Sequence, residues 1–144
     1  MGFHQTGGCL CGAVRYELTQ RPTHNGYCHC RMCQRATGAP VFAGVALKKS
    51  GFRLTRGEPK RYRSSEAAFR HFCGDCGSPL FFEGLGDPDS WEVLVGSLDD
   101  ASWVEMEEHS FTASRMPWFD VRDDLPRFPG WRNPESHKDE PDGY

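Results

Sequence analysis

The feature that most constrains this chain is the placement of its cysteines. There are 7 in 144 residues, and none lies outside three tight groups: Cys9-x-Cys11, Cys28-x-Cys30-x-x-Cys33 and Cys73-x-x-Cys76. An odd number excludes a complete disulfide set. Cysteines one or two residues apart converge on one ion far more readily than they pair with each other. A closed structural zinc site takes four ligands, whereas a catalytic site takes three and keeps a position for water or substrate. The count therefore divides as four plus three. Cys9, Cys11, Cys73 and Cys76 are expected to form a tetrahedral structural site. Cys28, Cys30 and Cys33 are left as a three-thiolate site. The alternative is that a histidine closes the triplet, with His29, His71 and His4 as the possible donors. His29 stands between two proposed ligands, so its ring is expected to point away from their metal. Iron in the four-cysteine site remains an alternative to zinc.

The rest of the chain reads as short strands. Gly 16 and Pro 10 favour turns over long helices. Val14, Tyr16 and Leu18 alternate with polar neighbours, the period of a half-buried strand. Val41–Leu47, the stretch around Phe52 and Leu54, the run Trp91, Val93 and Val95, and the pair Val104 and Met106 are read the same way. Residues 68–72 and 80–82 flank the third cysteine group and predict a hairpin with metal at its turn. One short helix is expected from Cys30 to Thr37, stopped by Gly38. The predicted fold class is mainly β, with antiparallel sheets and metal-bearing turns. Residues 1–131 are read as one zinc domain. Residues 132–144, polar and holding Pro134 and Pro141, are read as a disordered tail. Met116–Phe119 and Leu125–Trp131 read as an irregular segment strapped across the body, with Trp118, Phe119 and Phe128 in core or pocket walls.

No apolar run reaches the roughly 18 residues of a membrane span, and the N-terminus shows no apolar leader segment, so a cytoplasmic location is expected. Residues 1–80 carry 12 Lys/Arg against 4 Asp/Glu, and residues 81–144 carry 5 against 16. The preferred reading is mutual neutralisation within one fold. The alternative is a basic rim of Arg53, Arg56, Lys60, Arg61, Arg63 and Arg70 that attracts an anionic small molecule. With a pI near 6.0 and no stacking platform, nucleic acid is not an expected partner. Nothing in the sequence indicates an oligomeric state.

Three thiolates already outweigh the charge of a zinc ion, so such a centre is a weak Lewis acid toward water. It suits a soft sulfur ligand instead. A thiol bound there loses its proton but keeps an electron-rich sulfur, a nucleophile for an aldehyde carbon. This chemistry leads to an enzyme that makes or breaks thiol–aldehyde adducts. His29 is the first choice for an acid that protonates the alkoxide, and Arg70, three residues before Cys73, for a clamp on a substrate carboxylate. Ser78 either bonds a metal sulfur or shapes the turn.

The runs Gly8-Cys9-Leu10-Cys11-Gly12, Tyr27-Cys28-His29-Cys30-Arg31-Met32-Cys33-Gln34 and Arg70-His71-Phe72-Cys73-Gly74-Asp75-Cys76-Gly77-Ser78-Pro79 resemble the glutathione-dependent formaldehyde-activating (GFA) family. Gly96-Ser97-Leu98-Asp99 and Pro117-Trp118 fit its later landmarks. The resemblance implies a β-tent fold with two zinc ions: a structural one on the first and third groups and a catalytic one on the middle group. It also implies a carbon–sulfur lyase acting on glutathione and formaldehyde, with S-(hydroxymethyl)glutathione as the adduct. Centromere protein V resembles the same family, so a non-catalytic zinc-stabilised binding or scaffold protein is the alternative.

Overall fold

Apolar positions of period 2 sort themselves onto opposite faces of pleated strands, and here they bring two sheets together. The structure is a computed structural model that describes residues 2–138. In chain order the elements are β1 (Gln5–Gly8), β2 (Arg15–Leu18), β3 (His24–Cys28), α1 (Arg31–Thr37), β4 (Phe42–Lys48), β5 (Phe52–Arg56), β6 (Lys60–Ser65), β7 (Ala68–Phe72), β8 (Pro79–Gly84), β9 (Ser90–Leu94) and β10 (Glu108–Ser110). β1, β2 and β5 form an antiparallel three-stranded sheet. The other strands form a seven-stranded sheet in the order β10-β3-β4-β9-β8-β7-β6. The expected mainly-β architecture with one short helix is what the chain adopts. One pairing departs from the expected antiparallel pattern: β10 lies parallel to β3, so the larger sheet is mixed.

The core lies between the two sheets. Tyr16 and Leu18 of β2 face Val45 and Leu47 of β4, Phe81 of β8 and Val93 of β9. Phe52 of β5 stacks on Tyr16 at 5.2 Å between ring centroids and meets Phe81 at 4.9 Å. Buried at the same layer, the His71 imidazole stacks on Phe81 at 4.2 Å and bonds Glu83 at 3.0 Å. The alternate residues of the same strands point the other way. Phe42 of β4 and Phe82 of β8 join Cys30, Cys33 and Phe111 in a second, smaller cluster. One sheet thus serves the core with one face and a candidate site with the other.

The helix follows its sequence signals. Cys30 stands at the N-cap in extended conformation and its sulfur accepts the Cys33 N–H at 3.3 Å. Gly38 ends the helix at φ 67°, a left-handed conformation that glycine adopts without a Cβ penalty. The hairpin predicted around the third cysteine group is β7 and β8.

Val104 and Met106 do not form a strand. Val104 donates to Ala101 O at 3.1 Å in a turn and packs on the core from there, so its apolar period reflects a buried corner. Trp118 is 73% exposed and belongs to neither core nor pocket wall. Of the segment read as a tail, Pro134–His137 form a 3-10 turn in which the His137 ring stacks on Trp131 at 3.6 Å; residues 139–144 lie outside the described residues. The two charge-biased halves neutralise each other through Arg15–Asp99, Lys49–Glu83 and Arg61–Glu83.

Tyr16 is 1% exposed, and its hydroxyl closes the join between the small sheet and the turn at Val95–Ser97. The Ser97 hydroxyl donates to Leu94 O at 2.8 Å, so its oxygen accepts the Tyr16 proton at 2.6 Å. Tyr16→Phe removes one neutral hydrogen bond and leaves Ser97 still bonded, so chemical denaturation should show a loss of about 1 kcal/mol. Tyr16→Ala empties the core of a ring and should cost about 3–5 kcal/mol in the same measurement.

Candidate metal centres

The four cysteines Cys9, Cys11, Cys73 and Cys76 converge from two knuckles 62 residues apart in sequence. Each knuckle is closed by the same backbone device. Gly12 N–H donates to Cys9 O at 3.2 Å, and Gly77 N–H donates to Cys73 O at 2.9 Å. Gly12 and Gly77 have φ of 80° and 77°, so the residue after each group has to take a conformation that favours glycine. Backbone N–H groups point at the sulfurs: Val14 to Cys9 at 3.3 Å and Asp75 to Cys73 at 3.4 Å. Ser78 ties the knuckles together, since its oxygen accepts the Leu10 N–H at 3.0 Å and lies 3.2 Å from Cys76 Sγ. Hydrogen bonds to Cys76 from the Ser78 side chain first and the Ser78 backbone second hold its thiol down at about 5.

The sulfur spacing fits a bound ion. A tetrahedral zinc with bonds of about 2.3 Å spaces its sulfurs about 3.8 Å apart. Cys9 and Cys11 are 3.6 Å apart, and Cys11 and Cys73 are 3.8 Å apart.

Cys28, Cys30 and Cys33 form the second group, at the end of β3 and the start of α1. Their sulfurs lie within 4.8 Å of one another, and among the described residues no histidine, aspartate or glutamate joins them. Three thiols so close cannot all ionise without a cation between them. Hydrogen bonds from Cys28 and Cys33 hold Cys30 down at about 3, and the bond with Cys30 pushes Cys28 well up. Arg70 of β7 brings its guanidinium Nη2 to 3.5 Å from Cys33 Sγ and lies over the Phe82 ring. The three sulfurs open onto a cavity of about 280 Å³, which Arg70, Glu92, Glu108 and Trp131 also line. A second, more apolar cavity of about 240 Å³ shares Phe42, Arg70 and Phe82 with it. At the rim Phe111 takes φ 54°, an unfavourable conformation for an aromatic residue, and meets Trp131 edge-on at 5.0 Å.

The structure gathers the cysteines into groups of four and three and sets Arg70 beside the triplet, but it turns His29 elsewhere. His29 is fully buried and its Nε2 lies 2.8 Å from His109 Nδ1, on the side of the loop away from the cavity. His109 Nε2 in turn bonds Asp123 at 2.9 Å, and Arg127 holds Asp123 at 2.8 Å. Burial, reinforced by the His109 charge, lowers His29 to about 4, so at neutral pH the ring is uncharged and a poor general acid. Its geometry suits fixing the ligand loop, not protonating a substrate. His71 and His4, the other possible closing ligands, are engaged with Glu83 and Glu17.

The sequence of the glutathione-dependent formaldehyde-activating enzyme family matches residues 4–114. The chain belongs to that family. An uncharacterized lyase of Schizosaccharomyces pombe is 32% identical over 76 residues, which cover 53% of this chain and 55% of the relative. The match therefore spans about half of that curated protein. A crystal structure of a Rhodobacter sphaeroides protein superposes with a TM-score of 0.53 at 22% identity, covering 85% of this chain and 98% of the other, and supports the fold.

Sequence reasoning missed Glu92 and Glu108, two acidic residues that line the cavity. A signal for Glu92 was present: it is the charged residue in Trp91-Glu92-Val93-Leu94, on the strand face opposite the core. Burial first, then the charges of Cys33 and Glu108, push its carboxyl up to about 7.

Two predictions follow from these sites. Native mass spectrometry of the purified chain should count two metal ions, one for each cysteine group. Cys76→Ser should lose one of them and melt far below wild type, because a structural ion supplies folding free energy directly. Cys30→Ser should lose the other and keep its far-ultraviolet dichroism, since serine also serves as an N-cap. The second prediction concerns pH. Because Glu92 holds its proton more tightly folded than unfolded, folding is favoured at low pH, and that advantage is lost as pH rises through about 7. Glu92→Gln should match wild-type stability near pH 4 and exceed it at pH 8 in thermal melts.

Proposed function

We propose that this chain is a zinc-dependent carbon–sulfur lyase of the GFA type. It forms or cleaves the S-hydroxyalkyl adduct of a small thiol and a small aldehyde, as in S-(hydroxymethyl)glutathione. The observation that carries this reading is the group of three cysteine sulfurs on the wall of a cavity, with no fourth protein ligand among the described residues. Family membership and the lyase name of the yeast relative support it.

Cys9, Cys11, Cys73 and Cys76 would hold one zinc and Cys28, Cys30 and Cys33 the other. Bound at the triplet, zinc would supply a soft cation whose charge the thiolates largely offset, able to bind a substrate thiol as thiolate. The protein's own residues do the rest. Arg70 places a fixed positive charge beside Cys33, where an oxyanion or a substrate carboxylate can be received. Phe82 and Phe42 give the cavity an apolar wall that limits water around the reacting carbon. The His29–His109–Asp123 chain holds the ligand loop from behind. In the forward direction the thiol loses its proton, sulfur attacks the carbonyl carbon, and the carbonyl oxygen gains a proton to give the hydroxyl.

Uncatalysed thiol–aldehyde addition is already fast, so exchange at equilibrium is the decisive assay. Nuclear magnetic resonance should show faster interconversion of formaldehyde, a thiol and their adduct with the wild-type chain than with Cys30→Ser. Arg70→Lys should be intermediate, because a lysine keeps the charge but not the planar fork. A panel of thiols with no acceleration over Cys30→Ser would move the scaffold reading ahead.

A further inference from the structure

The cavity floor carries two carboxyls that the thiol–metal chemistry leaves without a task. Ladder pairing places them on the same sheet face as Cys28. Glu108 of β10 pairs with Gly26, Gly26 with Gly44, and Gly44 with Leu94, two residues along β9 from Glu92. Both carboxyls lie over glycines: a Cβ at Gly26 would overlap Glu108 Oε1, and one at Gly44 would stand 2.8 Å from Glu92 Oε1. Glycine at these two strand positions is what gives the carboxyls room on the floor.

Neither carboxyl is satisfied within the protein. Glu108 is 6% exposed, and while its Oε1 bonds His24 Nε2 at 2.9 Å, its Oε2 is buried with no hydrogen-bond partner among the described residues. Glu92 lines the cavity with neither a hydrogen bond nor an ion pair among the described residues. A carboxylate oxygen withdrawn from bulk water without a partner, as Glu108 Oε2 is, is costly. Among the described residues, of the basic groups that line the cavity, His24 alone pairs with one of these carboxyls, and it pairs with Glu108. His24 is held between Glu107 at 3.3 Å and Glu108, Arg70 is turned to Cys33 and Phe82, and Arg132 stands exposed at the rim. Asp87 at the mouth adds further negative charge. A ligand group that answers this floor is a small cation with several N–H donors, and a primary ammonium offers three.

We infer that Glu92 and Glu108 form a subsite for an ammonium group carried by the thiol substrate, so that the site selects aminothiols over thiols that lack an ammonium. The inference rests on the reading that the substrate sulfur goes to the Cys28, Cys30 and Cys33 centre. With no ligand bound, Glu92 can answer the same demand by keeping a proton, in line with its raised pKa of about 7. An arriving ammonium replaces that proton. The selectivity comes from charge and donor count, so it extends to any thiol that places an ammonium within reach of the floor.

The test is calorimetric titration of cysteamine, 2-mercaptoethanol and 3-mercaptopropionate into the zinc-loaded chain, wild type, Glu92→Gln and Glu108→Gln. The three thiols differ in intrinsic acidity, and that difference cancels when each variant is compared with wild type. A charge-assisted contact of this kind corresponds to about tenfold in affinity. The cysteamine preference over 2-mercaptoethanol should therefore fall about tenfold in Glu92→Gln, with 2-mercaptoethanol affinity unchanged, and Glu108→Gln should weaken the preference in the same direction. A preference unaltered in both variants overturns the subsite. So does equal slowing of exchange for all three thiols in Glu92→Gln with affinities unchanged, which would make Glu92 a proton carrier. Wild-type protein that binds none of the three loses the thiol reading itself, an outcome distinct from binding all three without preference.

Discussion

Everything in this molecule depends on a single seven-stranded sheet being covered on both faces by different material. One face presents Val45, Leu47, Phe81 and Val93 to the small sheet, and this layer is the core. The opposite face cannot be left to water, because it carries Phe42, Phe82 and Leu94. It is covered instead by α1 and by the irregular chain from Phe111 to Trp131. That cover is incomplete, and the gap is the cavity. Stability and chemistry therefore share backbone: a register slip in β4 or β9 would exchange core residues for cavity residues.

The two cysteine groups complete this arrangement at two edges. The four-cysteine group clasps the N-terminal knuckle to the β7–β8 turn, so it joins the small sheet to the large one. The triplet continues directly from β3 into α1, with Cys30 serving as the helix cap as well as a member of the group. Behind it, Gln34 donates to His29 O at 2.9 Å and to Ser114 O at 3.1 Å, which fastens the ligand loop to the covering segment. The parallel strand β10 brings Glu108 to the cavity side and His109 to the rear side of the same loop. Two adjacent residues thus serve opposite faces of the sheet edge.

The cysteine partition was legible because metal groups are local in sequence, and the count of seven admits few divisions. The strands with apolar alternation were legible for the same kind of reason. β6 was not, since Lys60–Ser65 lies at an exposed edge and buries little. Nor was β3, whose His24-Asn25-Gly26 start carries no apolar pattern because its cavity face needs polar and small residues. β10 is three residues long and acquires its strand form from pairing with β3 on one side and from a single parallel bridge between His109 and Arg127 on the other. The His29–His109–Asp123 chain joins residues 80 and 14 positions apart, a proximity that no periodicity announces.

The two cysteine groups also differ in when they can first meet an ion. The triplet spans six residues, 28–33, and can capture a metal on a chain that has not yet folded. The quartet reaches from Cys9 to Cys76 and requires the intervening loop to be closed first, at an entropic cost that grows with its length. During synthesis or refolding the order of loading is then the reverse of the order of structural importance. An ion reaching the triplet would be held early, and one reaching the quartet would be held last, acting on a nearly finished molecule much as a cross-link would.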